Sequence, residues 1–327
     1  MNKKFIGTLL LAMMMTVTGC GNGKVESANT TVSADENAQT SEKEESQSVV
    51  VEHSLGTTEV PKNPKNVVVL DFGALDAMDA LGLDVVGLPL SGTVPEYLTK
   101  YKDESVYTNV GSLKEIDLEA IHALKPDMII SGPRLSDYYE ELSEIAPTVL
   151  LSVDNSDYMN TFTKSMNYIG EIFDKQEEVS EKLAAFETQM KDIKEKAENK
   201  NANALIALAN GDSFSVYGKG SRFGIIHNEF GIAPSDETIE VSTHGQNASF
   251  EYIVEQNPDY LFVVDRSAVT GGEGSAPELF DNALMKSTDA YKNNRIVYLN
   301  PTVWYAAGGG FTSTQMMLDE INTALEI

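Results

Sequence analysis

The sequence predicts an α/β protein of two lobes, each built on a central, mainly parallel sheet, with one long α-helix joining them. Three observations predict it. Short apolar runs alternate with helical patterns from Val67 onward, a second such series starts at Ala204, and residues 176–200 between the two contain neither Gly nor Pro. With 327 residues, 42% of them hydrophobic, the chain can fill the cores of two medium lobes. Acidic residues number 50 against 24 basic ones, a formal net charge of -26, which argues against a nucleic-acid binder with a broad basic face.

Taken in order, Lys3 and Lys4 precede an apolar run from Phe5 to Val17, long enough for an export signal and too short to cross a bilayer comfortably. Residues 1–19 therefore read as a signal peptide. The run closes with Val17-Thr18-Gly19-Cys20, and Cys20 is the only cysteine, so no disulfide can form within the chain. This ending resembles the lipidation site of bacterial lipoproteins, in which the cysteine becomes the acylated N-terminus. Residues 20–52 are rich in Ser, Thr, Asn, Gln and Glu, contain no aromatic residue, and set seven acidic side chains against Lys24 and Lys43. They read as a solvated tether.

Residues 53–175 form the expected first lobe. Val67–Leu70 reads as a buried strand, Ala74–Leu81 as a helix, and Val85–Gly87, Met128–Ile130 and Val149–Leu151 as further strands. In 176–200, Val179, Leu183, Phe186, Met190 and Ile193 recur at spacings of three and four, the pattern of an amphipathic helix. Such a helix is stiffer than a Gly/Ser linker and predicts modest closure of the lobes. Residues 201–327 form the expected second lobe, with strands at Ala204–Leu208, Tyr260–Val264 and Ile296–Leu299.

Arginine is scarce: only Arg134, Arg222, Arg266 and Arg295 occur. Two of the four sit in a repeat. Residues 118–127 align without a gap on residues 250–259, each copy running apolar-Glu-x-Ile, then Pro-Asp, then an apolar strand. Pro-Asp ends the helix, so each copy is a helix-turn-strand unit. Arg134 and Arg266 each follow the repeat Asp by seven residues, which brings both to the carboxyl end of a strand, where open α/β sheets bind ligands. Arg222 lies in the glycine-rich stretch Tyr217–Gly224 before a helix expected at Phe223–Phe230; the glycine spacing is one residue too long for a dinucleotide loop.

Two polar stretches carry side chains that suit a hard ferric ion. One is Ser242-Thr243-His244-Gly245-Gln246 and the other surrounds Trp304-Tyr305. A lone histidine in such a loop is more often a hydrogen-bonding residue than a ligand, and a lone tyrosine more often a packing residue. There is no G-x-S-x-G elbow and no H-E-x-x-H pair, and His53, His122, His227 and His244 are scattered, so neither a hydrolase nor a bare divalent-metal site is indicated.

The segments from the Cys20 signal through Asn63–Val69, Asn109–Leu113, Lys125–Asp127, Ser221–Gly224, Ser242–Gln246 and Trp304-Tyr305 together resemble the substrate-binding lipoproteins of ferric-siderophore ABC importers. The likeness runs over nearly the whole chain and is strongest to members that take petrobactin and other catecholate siderophores. It implies the class III periplasmic-binding-protein fold, with two Rossmann-like lobes on one long helix. It further implies a monomer without enzymatic activity or a resident cofactor, lipid-anchored by Cys20 to the outer face of the cell membrane. A ferric siderophore would be the transported ligand, and an ABC permease with a cytoplasmic ATPase the partner. Residue by residue, it implies an arginine triad of Arg134, Arg222 and Arg266 in the cleft beside Trp304. His244 and Tyr305 would be direct Fe(III) ligands where the siderophore leaves sites open, and Glu119 and Glu251 the permease-docking carboxylates. Another iron chelate, haem or cobalamin is the alternative cargo on the same fold.

Overall fold

The computed structural model describes residues 47–327; the signal peptide expected at 1–19, Cys20 and most of the tether expected at 20–52 lie outside the described residues. Strands β1 (Ser48–His53) and β2 (Gly56–Pro61) pair as an antiparallel hairpin. The last five residues of the tether expected at 20–52 therefore lie in β1. Val49 and Val51 turn inward and are buried, while Val50 is 58% exposed. That alternation is a strand pattern, and burial of the inward valines with Val60 outweighs the polar composition of the preceding stretch.

The first lobe continues with β3 (Val67–Val69), α1 (Phe72–Ala80), β4 (Gly87–Leu88), β5 (Thr108–Asn109), α2 (Leu118–Leu124), β6 (Met128–Ser131), α3 (Tyr139–Ile145), β7 (Thr148–Leu150) and α4 (Tyr158–Ile172). Its sheet runs β5-β4-β3-β6-β7, with every pair parallel. Both faces are covered, so β3, β6 and β7 are wholly buried, and apart from Ser131 at the end of β6 and Thr148 at the start of β7 they are apolar. The strand expected at Val85–Gly87 pairs only from Gly87. There the Leu124 side chain of α2 lies over the strand, and a Cβ at Gly87 would come within 2.5 Å of its Cδ1, so any larger residue needs Leu124 to move.

Helix α5 (Gln176–Lys200) follows, burying Val179, Leu183, Phe186, Met190, Ile193 and Ala197 along one stripe. Asn201 ends it in the left-handed conformation at φ 47°. The second lobe comprises β8 (Asn203–Asn210), β9 (Ser213–Tyr217), α6 (Ile225–Asn228), β10 (Ala233–Pro234), β11 (Gln246–Asn247), α7 (Phe250–Gln256), β12 (Tyr260–Asp265), α8 (Arg266–Thr270), α9 (Ala276–Phe280), α10 (Asp289–Lys292), β13 (Ile296–Leu299), a π-helical turn at Thr302–Ala306 and α11 (Phe311–Ala324). Strands β8, β12 and β13 are parallel, and β10 pairs parallel to the start of β8. An antiparallel edge, β9 then β11, completes the sheet. The helix expected at Phe223–Phe230 is a single turn, because Gly224 closes a turn on Ser221 at 2.9 Å and Gly231 reverses the chain at φ 70°.

The final helix does not stay with the second lobe. Helix α11 packs on α1 of the first lobe and along α5. Phe311 stacks on Phe186 at 6.2 Å between ring centroids and meets Phe162 of α4 edge-on at 5.9 Å. Gln189 and Gln315 exchange amide hydrogen bonds of 3.0 and 2.7 Å. One apolar core therefore runs from Val67 and Ile130 through the α4, α5 and α11 aromatics to Ile206 and Phe262. Helix α11, inside the expected second lobe 201–327, thus buries Phe311, Met317, Leu318 and Ile321 and packs on α1 of the first lobe as well as on α5.

The internal repeat has a structural counterpart in each lobe. Lys125 and Asn257, each preceding the proline, end α2 and α7 at φ 48° and 39°. The following aspartates tie that turn to the first parallel strand of the lobe: Asp127 accepts the amides of Lys65 and Asn66 at 2.8 and 2.9 Å, and Asp259 accepts Asn203 N–H at 3.0 Å. Two equivalent strands, β6 and β12, are thereby aimed so that their carboxyl ends carry an arginine.

Candidate functional site

An open cleft of about 930 Å³ lies along the carboxyl ends of the parallel strands. Asp71 follows β3, Arg134 follows β6, Asn210 ends β8, Arg266 follows β12 and Tyr305 follows β13. Each is where the chain leaves a buried strand, so backbone held by the sheet ladder sets the position of a side chain that reaches the cleft.

The three arginines converge on one tyrosine. Arg134 Nη2 and Arg222 Nη2 both donate to the Tyr305 carbonyl oxygen, at 2.7 and 2.6 Å. Arg266 Nε donates to the Tyr305 hydroxyl at 3.0 Å, and its Nη1 donates to Asn210 Oδ1 at 2.7 Å. The Arg134, Arg222 and Arg266 Cζ atoms stand 5.3, 4.2 and 5.9 Å from the centre of the Tyr305 ring, within cation–π range. Arg134 comes from the first lobe and the other residues from the second.

No carboxylate neutralises this cluster by direct pairing. The ion pairs among the described residues all use lysines. Asp71 faces Arg134, but it is turned back as the N-cap of α1, accepting Gly73 and Ala74 amides at 2.8 and 3.0 Å. Burial pushes its carboxyl above the usual aspartate range, against those two amides and the Arg134 charge. Arg222 is shifted down by burial and by the neighbouring Arg134 charge. At Tyr305 burial raises the phenol, yet the Arg266 hydrogen bond and the charges of Arg222, Arg266 and Arg134 outweigh it, and the net shift is down. The cluster favours negative charge strongly enough to act on its own tyrosine.

Such an arrangement can hold a polyanion. Catecholate or carboxylate oxygens compete with the Tyr305 carbonyl and hydroxyl for the same N–H groups, and each charge-assisted hydrogen bond contributes about 1.5–3 kcal/mol. Guanidinium planes also stack on aromatic rings.

The other sequence-predicted residues are dispersed. His244 lines the same cleft on an exposed loop, its imidazole making no hydrogen bond to a described residue. Trp304 borders the cleft but is 5% exposed, and its indole N–H is engaged by Glu320 Oε2 at 2.6 Å, so it contributes ring surface and no donor. Glu119 and Glu251 are exposed in the first turns of α2 and α7, away from the cleft. His227 is buried with Nδ1 2.7 Å from the Ile232 carbonyl. Among the described residues no three His, Cys, Asp or Glu side chains come together as a metal site. Two residues absent from the sequence reading belong to the site: Asn210, which orients Arg266, and Asp71 beneath Arg134. Their only sequence signal was position at the end of a predicted strand.

The model of the periplasmic binding protein family matches residues 67–303. The chain belongs to that family. This family member is 45% identical to the petrobactin-binding protein YclQ of Bacillus subtilis over 330 residues, covering 99% of both chains. It is 32% identical to the ferric-anguibactin-binding protein FatB of Vibrio anguillarum, covering 84% of this chain and 86% of that one. The crystal structure of YclQ superposes with a TM-score of 0.83 over 86% of this chain and 99% of YclQ. That of the catecholate-siderophore binding protein VctP of Vibrio cholerae does so with a TM-score of 0.81 at 37% identity, covering 84% and 99%. The periplasmic binding protein fold is thus present with its two α/β lobes, and no helix among the described residues is long and apolar enough to cross a membrane.

Proposed function

We propose that this periplasmic binding protein captures a ferric catecholate-type siderophore, petrobactin-like in its chemistry, outside the cell membrane and passes it to an ABC permease. The observation that carries the reading is the convergence of Arg134, Arg222 and Arg266 on Tyr305 with no ion-paired carboxylate among the described residues. Ferric tris-catecholate is aromatic and strongly negative, because three dianionic catechols outweigh Fe(III), and the cluster offers both charge and ring-stacking surface. The likeness to petrobactin-binding YclQ and to the catecholate-siderophore binding protein VctP supports this cargo.

In this reading the protein is a monomeric binder and not an enzyme. Cys20 carries the lipid anchor. Three arginines set affinity, and by charge they disfavour cationic and neutral cargo. Where a tetradentate siderophore leaves coordination sites open, the Tyr305 phenolate and the His244 imidazole complete the Fe(III) shell. Glu119 and Glu251, at equivalent positions in the two copies of the repeat, dock on the permease and bring its ATPase into play.

The deciding experiment is a titration of the purified protein with ferric complexes of catecholate, mixed catecholate–citrate and hydroxamate ligands. Binding is read from emission of Trp304, the only tryptophan, which borders the cleft next to Tyr305. Selective quenching by the catecholate complexes is expected; equal response to hydroxamates would overturn the reading.

A further inference from the structure

Of the three carboxylates on helix α1 and its N-cap, Asp71, Asp76 and Asp79, the first two hold different chain segments. Asp71, its N-cap, lies under Gly132, where a Cβ would stand 2.5 Å from Asp71 Oδ2, and Gly132 is two residues before Arg134. Asp76, with no exposed surface, accepts Thr312 N–H at 2.9 Å and Ser313 N–H at 2.7 Å, both in the first turn of α11. Gly310 packs directly on the Asp76 carboxylate. A Cβ on Gly73 would lie 2.5 Å from the Gly308 carbonyl oxygen, so the strap Gly308-Gly309-Gly310 is seated on α1.

Helix α11 in turn holds the segment that carries Tyr305. Glu320 accepts Asn300 N–H at 2.9 Å through one oxygen and the Trp304 indole N–H at 2.6 Å through the other. A continuous path therefore runs from Asp76 on α1, through the ends of α11, to the turn Thr302–Ala306. Asp76 is paired with no cation and does not line the cleft. A buried carboxylate costs stability unless something answers its charge, and here the answer is the positive end of a 14-residue helix. Burying an acid at this spot contributes nothing to the cleft directly, but it clamps a second-lobe element onto a first-lobe helix.

We propose that Asp76 is a positioning residue for the binding site. By holding the N-terminus of α11 on α1, it keeps Tyr305, carried by the second lobe, in register with Arg134, carried by the first. The arginine cluster is then assembled before cargo arrives, and ordering it is not charged against binding. The proposal rests on the reading of that cluster as the anion site.

The test compares the wild type with Asp76→Asn, which keeps the shape but turns one acceptor into a donor facing an N–H. Gly310→Ala is the second variant, since its methyl group pushes α11 off α1 while leaving Asp76 intact. Amide hydrogen exchange of the cargo-free proteins is expected to speed up roughly tenfold across residues 302–313 with β3, β6 and β12 unchanged. Association of the ferric complex of 2,3-dihydroxybenzoate, followed by Trp304 emission, is expected to slow roughly fivefold or more, with dissociation less affected. Unchanged exchange at 302–313 in both variants overturns the proposal. So does faster exchange there with unaltered association, and so does uniform loss of protection in the core strands of both variants, which marks Asp76 as a general stabiliser. A wild type that ignores the ferric probe overturns the anion reading instead, and the exchange pattern then decides the clamp alone.

Discussion

Arg222 donates to the carbonyl oxygen of Tyr305 at 2.6 Å while its guanidinium carbon stands 4.2 Å from the centre of the same residue's ring. One tyrosine thus holds an arginine by its backbone and its side chain at once. Arg134 shares the carbonyl and Arg266 takes the hydroxyl, so Tyr305 is the common anchor of three like charges. Like charges held this close repel, and relief of that repulsion by an anion adds to the hydrogen bonds the anion makes.

Removing any one of the three charges should weaken ferric-catecholate binding. Arg222→Gln is expected to cost roughly ten- to a hundredfold in affinity, the equivalent of about 1.5–3 kcal/mol. Arg134→Gln should cost less, because Arg134 is the most exposed of the three. Fluorescence titration with unchanged thermal melting checks both, and full affinity in Arg222→Gln would refute the anion site.

Tyr305 should ionise at lower pH than an ordinary tyrosine, whose value is 10.0, because the hydrogen bond and charges of the arginines outweigh burial. A phenol depressed by folding adds stability that is complete above pH 10 and disappears as the pH falls through its folded value. Ultraviolet difference titration should show one early phenolate that is absent from Tyr305→Phe. With a tetradentate ferric catecholate, the same substitution should remove a phenolate-to-iron absorption band; an identical spectrum would rule out direct ligation.

Replacing Glu119 and Glu251 together by Gln should leave cargo binding in solution intact, since both are exposed and remote from the cleft. Cargo uptake by cells should fall roughly tenfold or more, as for lost charge pairs at a docking surface. Equal loss of binding and uptake would assign these residues to the fold.

Phe162→Ala should destabilise the whole body by about 3–5 kcal/mol, the usual cost of emptying a packed aromatic site. Because Phe162 meets both Phe186 and Phe311, urea unfolding should remain a single transition at lower denaturant. Two separated transitions would show that the lobes keep independent cores.

Much of the scaffold was visible as pattern. Val67–Val69, Met128–Ile130 and Tyr260–Val264 are buried on both faces and stand out as apolar runs; the stripe from Val179 to Ile193 has helical spacing. The hairpin at Ser48 was hidden because its inward valines sit in a polar, acidic neighbourhood. The short extent of α6 was hidden because glycine turns on either side cut an otherwise helical run. Arg134 and Arg266 were legible as a pair through the Pro-Asp repeat, which uses one turn chemistry twice.

The alternation of strands and helices, the long helix, and the arrival of arginines at two equivalent strand ends are local properties of the chain, because hydrophobic period and turn residues act over a few positions. Only the tertiary structure decided that Arg222 joins them, that all three meet on Tyr305, and that α11 crosses back to Asp76. Those partners are separated by 39 to 237 positions along the chain. What brings them together is burial of one shared core and the cost of leaving a buried carboxylate or guanidinium unanswered, and neither is written in any local window.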